Sequence, residues 1–254
     1  MAYYYNRQQK KVHSEMLPET FRMLIVGQSG SGKTTLLMRL LLEENLLNYD
    51  KLYVFAKSLY QPEYEVLKAG LENGLPKSYI AKLMKSDEII QQHQTSIDDV
   101  AQQLAEKLDI VSQIDCEFHS CPNDIPDPGS VNKSTRNLIV FDDIMTDKKQ
   151  TPAENWFTRG RSSNADAIYL AQNYTHLPLH TVRSNSNFMV FFKLSPLVVE
   201  QLHRTFASVD MSCSEFKNLC NDAWKNKFDF LVIDQSQDYE SGNKYRKRLE
   251  LNPE

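Results

Sequence analysis

A glycine-rich turn followed by a lysine and two threonines lies near the start of the chain, between an apolar run and leucines at helical spacing. The turn, GQSGSGKT, fits the pattern G-x-x-x-x-G-K-[ST] at every fixed position. Glycines let backbone N–H groups approach phosphate oxygens, and the start of a helix presents its positive end. Lys33 would then reach the β- and γ-phosphates, and Thr34 would ligate Mg²⁺. The predicted ATP-binding residues are Gly27, Gln28, Ser29, Gly30, Ser31, Gly32, Lys33, Thr34 and Thr35.

Two carboxylates, Asp142 and Asp143, end the apolar segment LIVFDD. A carboxylate at the tip of a buried strand is typical of the group that holds Mg²⁺ beside a phosphate-binding loop. We therefore predict that Asp142 and Thr34 form the metal site. Asp143 stands where many ATPases place a glutamate that polarises the attacking water, although its side chain is shorter. Solvated aspartates at a strand end are the alternative interpretation.

Amides and arginines complete the candidate catalytic set. Gln172 and Asn173 end the apolar segment AIYLAQN, where an amide can sense the γ-phosphate and orient water. Arg159 and Arg161, in WFTRGRSSN, can stabilise charge on the transferring phosphoryl group from the same subunit or from a neighbour. Arg183 is a further candidate, and a strand-end amide and solvated arginines are the alternatives. The predicted catalytic residues are Lys33, Asp142, Asp143, Gln172, Arg159 and Arg161.

Apolar runs alternate with helical periodicity along the chain. Strands are predicted over residues 23–26, 51–57, 137–143, 166–173, 187–194 and 228–234. Helices are predicted over residues 33–44, 77–93, 96–111, 196–206 and 213–226. Continuous apolar strands that alternate with helices predict an α/β fold, with a parallel sheet covered on both faces.

The motifs divide the chain into a domain and two flanking segments. We predict a flexible tail over residues 1–14, a P-loop ATPase domain over 15–235 and a polar, basic tail over 236–254. A helical insertion with a loop is predicted over residues 57–136, inside the domain. The basic cluster KYRKR is expected to be a solvated part of the carboxyl-terminal tail.

Composition limits the classes of function. The 254 residues carry a formal net charge of −4, so nucleic-acid binding would have to come from local patches or from loops joined in an oligomer. No apolar run is long enough for a membrane span, and the first residues lack the apolar segment of a secretory signal. The four cysteines are sparse for this length and fit a reducing compartment.

The motifs together resemble the viral genome-packaging ATPases of the FtsK–HerA superfamily, which include those of poxviruses, virophages and Maverick/Polinton elements. The segments that carry the resemblance are GQSGSGKT, LIVFDD, WFTRGR, IYLAQN and residues 177–192, and it covers roughly residues 15–235. The resemblance implies a RecA-like P-loop NTPase fold with a mostly parallel central sheet flanked by helices. It also implies ATP and Mg²⁺ as cofactors and a homo-oligomeric ring.

The same resemblance implies a function, partners and a location. The ring would translocate double-stranded DNA, without sequence preference, into a preformed capsid, with a capsid or portal-like vertex protein as its partner. The protein would act inside an infected cell, in the cytoplasm, nucleus or virus factory, and virion association would be compatible with this role. The segment after Lys57 and residues 145–155, which include Lys148 and Lys149, are the candidate channel-facing loops.

Two departures from the family pattern keep alternatives open. Asp143 replaces the usual glutamate, and Ser162 and Ser163 follow the R-G-R segment where relatives often carry histidine. One alternative is a P-loop GTPase or small-molecule kinase; another is a nucleotide-gated interaction module with little turnover. A GTPase would carry an N-K-x-D motif that recognises guanine, and we identify no such motif in the sequence. A small-molecule kinase would carry an arginine-rich lid.

Overall fold

The computed structural model describes residues 13–85, 96–108, 114–121, 124–144 and 151–251. Its strands are β1 (Arg22–Val26), β2 (Lys51–Ala56), β3 (Asp115–His119), β4 (Asn137–Asp142), β5 (Ala165–Ala171), β6 (Phe188–Phe192), β7 (Phe230–Asp234) and β8 (Tyr245–Lys247). Its helices are α1 (Lys33–Leu42), α2 (Pro62–Glu72), α3 (Lys77–Leu83), α4 (Ile97–Lys107), α5 (Thr151–Arg159), α6 (Pro196–Leu202) and α7 (Cys213–Ala223).

The strands form one sheet in the order β3-β2-β4-β5-β1-β6-β7-β8. The strands from β3 to β6 in this order pair in parallel, whereas β7 and β8 join antiparallel at one side. Strands β1, β5 and β6 are buried along their whole length, as apolar strands of a sheet covered on both faces should be. The predicted α/β class with a mostly parallel central sheet is confirmed.

Helices cover the two faces of the sheet and bury a separate apolar cluster on each. Side chains of α1, α2, α3 and α4 pack in one cluster, and side chains of α5, α6 and α7 pack in the other. Successive residues of β1 alternate between them: Met23 and Ile25 face the first cluster, while Leu24 and Val26 face the second. Within the described residues, no helix is long and apolar enough to span a membrane.

The strand order brings the ends of three strands to one edge of the sheet. β5 lies between β1 and β4, and the Gly27 N–H donates to the Ala171 carbonyl at 3.1 Å where β1 and β5 end. We call this the carboxyl edge, and the opposite edge, where β1 and β5 begin, the amino edge. Ligands of parallel α/β sheets bind beyond the carboxyl ends of the strands.

The predicted helical insertion over residues 57–136 needs correction, because it also contributes strand β3. β3 pairs in parallel with β2 at the outer side of the sheet. Its sequence, DCEFH, is short and only partly buried, so it lacks the apolar run that reveals a central strand. The described residues between 121 and 136, at the end of this insertion, contain no helix or strand longer than a turn, as expected for its loop.

Both predicted tails contain residues that belong to the domain. His13, assigned to the tail over residues 1–14, is buried, and its Nε2 lies 2.9 Å from Asp166 Oδ2. In the segment predicted as a polar tail, β8 extends the sheet, and Tyr245 and Arg246 are buried. Residues 1–12 and 252–254 lie outside the described residues.

The basic cluster in that segment is only partly solvated, and its charges are paired with aspartates. The pairs are Lys244–Asp210, Arg246–Asp234, Lys247–Asp222 and Arg248–Asp229. Two of these pairs, those of Lys244 and Arg246, are largely removed from water. These ion pairs hold residues 244–248 against the rest of the domain. The lysines and arginines in the sequence do not by themselves reveal this pairing.

Candidate active site

The loop between β1 and α1 needs glycine at three positions for geometric reasons. Gly30 and Gly32 have φ values of 71° and 101°, in the left-handed region that favours glycine. Gly27 is needed because of a close approach: an added Cβ would lie 2.6 Å from Ser31 Oγ and 2.7 Å from Phe192 Cβ. The loop therefore has the tight, backbone-lined curve that a phosphate cradle requires.

The first turn of α1 is open to an anion. Gly32 is the N-cap of this helix, no side chain of the described residues caps it, and its first turn contains no acidic residue. The first backbone N–H groups of a helix have no partners within the helix. Ser31 Oγ, directly before it, is buried and has no hydrogen-bond partner among the described residues. These donors fit the phosphate chain of a nucleotide.

Lys33 lies at the mouth of the loop. Its Nζ donates hydrogen bonds to the carbonyls of Gly27 at 2.8 Å and Gln28 at 3.0 Å. Burial lowers the pKa of Lys33 below its ordinary value, and the charges of Asp142 and Asp143 oppose that shift. Phosphate oxygens would offer this ammonium charged acceptors, and charge-assisted hydrogen bonds are roughly twice as strong as neutral ones.

A cavity of about 330 Å³ opens between this loop and the tips of β4 and β5. Its volume lies within the range of small-ligand sites. The predicted residues that line it are Ser29, Gly30, Gly32, Lys33, Thr34, Thr35, Asp142, Asp143 and Gln172. Gln61 and Phe228 also line it, and the sequence analysis predicts neither of them. Gly27, Gln28 and Ser31 are not among the lining residues, and Gly27 and Gln28 contribute through the carbonyls that hold Lys33.

Asp142 is held by a tyrosine that the sequence analysis does not identify. The buried Tyr64, on α2, donates a hydrogen bond of 2.6 Å from its hydroxyl to Asp142 Oδ2. Burial raises the pKa of Asp142 above its ordinary value, and the Tyr64 hydrogen bond offsets part of that rise. Thr34 lines the same cavity, so hydroxyl and carboxylate oxygens, the ligands that Mg²⁺ prefers, are together. In the sequence Tyr64 occupies an apolar position of a helical segment, so the pattern does not predict a role for its hydroxyl.

Asp143 and Gln172 meet across the tips of β4 and β5. Asp143 has a φ of 53°, so the chain turns sharply where β4 ends. Its Oδ1 accepts a hydrogen bond of 3.3 Å from Gln172 Nε2, and both side chains are exposed. A carboxylate beside an amide at this position can accept a proton from a water molecule and orient it.

Asn173 does not join this pair. Its Oδ1 accepts hydrogen bonds from the Thr175 N–H at 3.0 Å and the Thr175 hydroxyl at 2.8 Å. It thereby caps the short 3₁₀ helix Tyr174–His176 and does not line the cavity. The structure thus brings one of the two strand-end amides to the site.

The arginines of the R-G-R segment lie at the amino edge, away from the cavity of their own chain. Arg159 ends α5, and Arg161 precedes the start of β5. β5 has seven residues, which at about 3.3 Å each span roughly 20 Å before Gln172. Arg159 Nη2 pairs with Asp127 Oδ2 at 2.7 Å, and both side chains are about half exposed. Neither arginine reaches this cavity within one chain.

Arg183 is also absent from the cavity. It lies in the crossover from β5 to β6, is nine-tenths buried, and its guanidinium packs over the ring of Tyr174 at 4.9 Å. Burial raises the pKa of Tyr174, and the charge of Arg183 opposes that rise. The position of Arg183 indicates a packing role.

An N-K-x-D spacing is present after all, since residues 226–229 read N-K-F-D, so the interpretation that the chain carries no such motif is wrong. This segment precedes β7 and lies beside the loop. Asp229 Oδ1 accepts hydrogen bonds from Arg248 Nε and Nη2 at 2.8 and 2.6 Å, and its Oδ2 accepts one from Asn226 Nδ2 at 2.8 Å. Both carboxylate oxygens are therefore engaged within the chain, which does not favour their use in reading guanine.

A family model described as Poxvirus A32 protein matches residues 8–67 and 123–244, which together exceed half of the chain. The chain belongs to this family. The resemblance that the motifs indicate is confirmed, and so is the predicted RecA-like P-loop NTPase fold. The matched ranges hold the loop and the tips of β4 and β5, whereas α3, α4 and β3 of this A32-family protein fall in the unmatched residues 68–122.

Several solved structures are similar to this A32-family protein at low sequence identity. The genome packaging NTPase B204 from Sulfolobus turreted icosahedral virus 2, in complex with AMPPCP, is 10% identical with a TM-score of 0.46, over 91% of this chain and 98% of that one. VirB4 of Thermoanaerobacter pseudethanolicus is 11% identical with a TM-score of 0.46, over 85% and 87% of the two chains. The N-terminal domain of zonular occludens toxin from Neisseria meningitidis is 13% identical with a TM-score of 0.38, over 92% and 95%. No curated protein gives a significant match, and no residue role follows from likenesses this distant.

Proposed function

We propose that this A32-family protein is an ATP-hydrolysing motor that moves double-stranded DNA into a preformed viral capsid. The observation that carries the proposal is the meeting of Lys33, Asp142 and the Asp143–Gln172 pair at one cavity. These groups can bind phosphate, hold a cation and orient water, which are the requirements of ATP hydrolysis. The family match and the motifs support double-stranded DNA as the substrate and an infected cell as the location.

The residues of the cavity fit ATP and Mg²⁺. The loop and the open first turn of α1 would bind the phosphate chain, and Lys33 would pair with its terminal oxygens. Thr34 and Asp142 would hold Mg²⁺, which supplies neutralisation of developing phosphate charge when it is bound. Asp143 and Gln172 would bind the attacking water and position it for in-line reaction, with Asp143 as the proton acceptor.

A ring is proposed because no arginine of the described residues lines the cavity. Arg159 and Arg161 are exposed at the amino edge, where a neighbouring subunit could receive them. An arginine supplied by a neighbour completes many phosphoryl-transfer sites. The active site would then lie between subunits, and hydrolysis would depend on assembly.

DNA contact is proposed for loops rather than for a charged face. The net charge is −4 and the carboxyl-terminal basic cluster is paired internally. The segment after Lys57 leads into α2; Gln61, the N-cap of α2, lines the cavity, and Tyr64 in its first turn donates a hydrogen bond to Asp142. A movement of this segment on DNA would therefore reach Asp142 directly. The other candidate lysines, Lys148 and Lys149, lie outside the described residues.

The decisive experiment is the rate of ATP hydrolysis titrated with double-stranded DNA. We expect strong stimulation that falls steeply with salt and shows little dependence on DNA sequence, because phosphate contacts dominate such binding. A flat response at low salt, with a monomeric protein, would favour a small-molecule kinase. Nucleotide-dependent association without turnover would favour an interaction module.

Lys33→Ala tests the phosphate site itself. ATP binding should become undetectable in calorimetry, because the substitution removes the cation that faces the terminal phosphates. The matched control is Lys68→Ala, which removes an exposed lysine of α2 that pairs with Glu72. Thermal melts of both variants would show whether unfolding contributes to the loss, because Lys33 also donates hydrogen bonds to the Gly27 and Gln28 carbonyls. Unchanged affinity would refute the assignment of the loop.

A further inference from the structure

The carboxyl edge continues past the phosphate-binding loop, on the side away from Asp142. The sheet order places β6 and β7 there, and the turn before β7 carries Phe228. Its ring is 55% exposed, and its φ is 71°. A left-handed backbone is unfavourable for a bulky residue, and strain of this kind gathers at functional sites. The chain thus maintains an exposed aromatic ring in an unfavourable conformation.

Hydrogen bonds from neighbouring residues fix this turn. The Asp229 carboxylate accepts hydrogen bonds from the Arg248 guanidinium and from the Asn226 side-chain amide. Lys227 Nζ lies over the Phe228 ring, 4.7 Å from its centroid. The ring is therefore held in place by the turn around it and not by burial of its own surface.

A second cavity, of about 370 Å³, lies beside the phosphate cavity. Ser29, Gly30 and Phe228 line both cavities. The ring also approaches the loop, because a Cβ added to Gly32 would lie 3.3 Å from Phe228 Cδ1. The volume lies within the range of small-ligand sites, so Phe228 stands where two ligand-sized spaces meet.

The sheet order determines the direction in which a nucleotide would lie. Asp142 and Gln172 bound the phosphate cavity on the side of β4 and β5, so the terminal phosphate belongs there. The rest of the molecule must leave on the side of β6, toward Phe228. We propose that the Phe228 ring is the stacking platform for the nucleoside base, and that the second cavity receives the nucleoside. This inference rests on the proposed ATP site.

The chemistry of the platform indicates its selectivity. Stacking on an aromatic ring tolerates any base, because every base has a π face. A free carboxylate could select guanine, but Asp229 is paired with Arg248 and Asn226. The platform would therefore stack any nucleoside base and would not select guanine over adenine.

Phe228→Gly is the sharpest test, because glycine adopts the same backbone conformation without strain. Affinities for ATP and for inorganic tripolyphosphate would be measured by calorimetry. We expect ATP affinity to fall by about 10- to 100-fold, as the loss of one stacked base dictates, while tripolyphosphate affinity is unchanged. The melting temperature should not fall, and Phe228→Tyr, which keeps a ring, should bind ATP like the wild type.

Tyr239→Ala is the matched control. Tyr239 is 48% exposed and follows the end of β7 at the amino edge, so its removal should leave both affinities unchanged. If Phe228→Gly binds ATP as tightly as the wild type, the platform is refuted. If the wild type binds tripolyphosphate and ATP equally, no nucleoside subsite exists. If the wild type binds neither, the phosphate site and the proposed function fail instead.

Discussion

The two edges of the sheet hold charged residues in opposite circumstances. At the amino edge, Asp166 accepts hydrogen bonds from His13, from Arg136 and from the Phe21 N–H, all within the buried interior. At the carboxyl edge, Asp143 is exposed and, among the described residues, accepts a long hydrogen bond from Gln172. The first carboxylate stabilises the fold, and the second remains accessible to water and ligand.

Positive φ values are concentrated at the carboxyl edge, although Asn164 at the amino edge also has one, of 48°. Gly30, Gly32, Asp143 and Phe228 all have positive φ values at the carboxyl edge. The strands themselves are regular and buried, so the unfavourable conformations are confined to the segments that follow or precede them. Strained segments on a rigid sheet are typical of binding sites. Arg159 and Arg161 depart from this division, since they are exposed at the edge that otherwise serves stability.

The largest expected effect concerns Arg159. If a neighbour's Arg159 completes the cavity, Arg159→Ala should leave ATP binding and assembly intact and reduce hydrolysis by about 10³- to 10⁵-fold. Arg161→Ala tests the second candidate in the same way. Hydrolysis by assembled rings and ATP affinity would be measured for each variant.

A mixture of variants distinguishes action between subunits from action within one. Rings would be assembled from Arg159→Ala and Lys33→Ala subunits, each inactive alone. Some interfaces then pair an intact loop with an intact arginine, so partial hydrolysis should return. If rings that are shown to be mixed stay inactive, Arg159 does not act on the cavity of a neighbouring subunit. The amino edge would then serve only the stability of the fold.

Asp143→Asn is expected to have the next largest effect. Asparagine keeps the size and also tolerates the left-handed backbone at this position, but it cannot accept a proton. Turnover should fall by about 10²-fold or more while ATP binding persists. Single-turnover hydrolysis and calorimetry would measure the two quantities. If turnover survives, Gln172 becomes the group that orients the water.

Tyr64→Phe should have a smaller effect, through the position and ionisation of Asp142. Loss of a partner to a metal-holding group typically reduces metal affinity or activity by about 10- to 100-fold. The Tyr64 hydrogen bond lowers the pKa of Asp142 against the raising effect of burial. Without this hydrogen bond the pKa of Asp142 rises further, so the carboxylate is protonated at a higher pH. As pH is lowered, the variant should therefore lose hydrolysis at a higher pH than the wild type does. Profiles of rate against Mg²⁺ concentration and pH would show this.

Tyr49→Phe is a matched control for that experiment. Tyr49 is buried in the same apolar cluster as Tyr64 and donates one hydrogen bond, of 2.9 Å, to the Leu41 carbonyl. It does not line the cavity. An equal loss in both variants would mean that the effect comes from packing and not from Asp142.

The sequence predicts the central part of the fold and site well because both depend on local signals. Gly27, Gly32 and Lys33 stand at fixed spacing, and the apolar run before Asp142 marks a buried strand. β3 and β8 escape prediction because their stability comes from pairing with β2 and β7, which no local pattern records. The β2–β3 pairing joins residues far apart in the chain, whereas β8 has only three residues, too few for a local pattern to show.

Site residues outside the motifs are missed for the same reason. The Tyr64 hydroxyl meets Asp142 across 78 residues of chain, although the helix that carries it shows only apolar spacing. Phe228 reaches the loop from the turn before β7. The N-K-x-D spacing of residues 226–229 is visible in the sequence. Whether Asp229 is free to bind a base depends on Arg248, which directly follows β8 and pairs with it.

The smallest expected effect on hydrolysis is that of His13→Ala at the amino edge. The Asn48 N–H donates to His13 Nδ1 at 3.1 Å, so His13 Nε2 carries the proton that Asp166 accepts. Removal of the ring takes away the hydrogen bond that Asp166 accepts from His13 and the one that Asn48 donates to it, which should lower the free energy of unfolding by about 1–3 kcal/mol. In a chain of this length the melting temperature should fall by about 2–10 °C.

Hydrolysis per folded molecule at 25 °C should not change in His13→Ala, because His13 is buried and distant from the cavity. Thermal melts and active-site-normalised rates would measure both quantities. A loss of hydrolysis with an unchanged melting temperature would show that the amino edge takes part in the reaction through more than its exposed arginines, and the division between the two edges would fail.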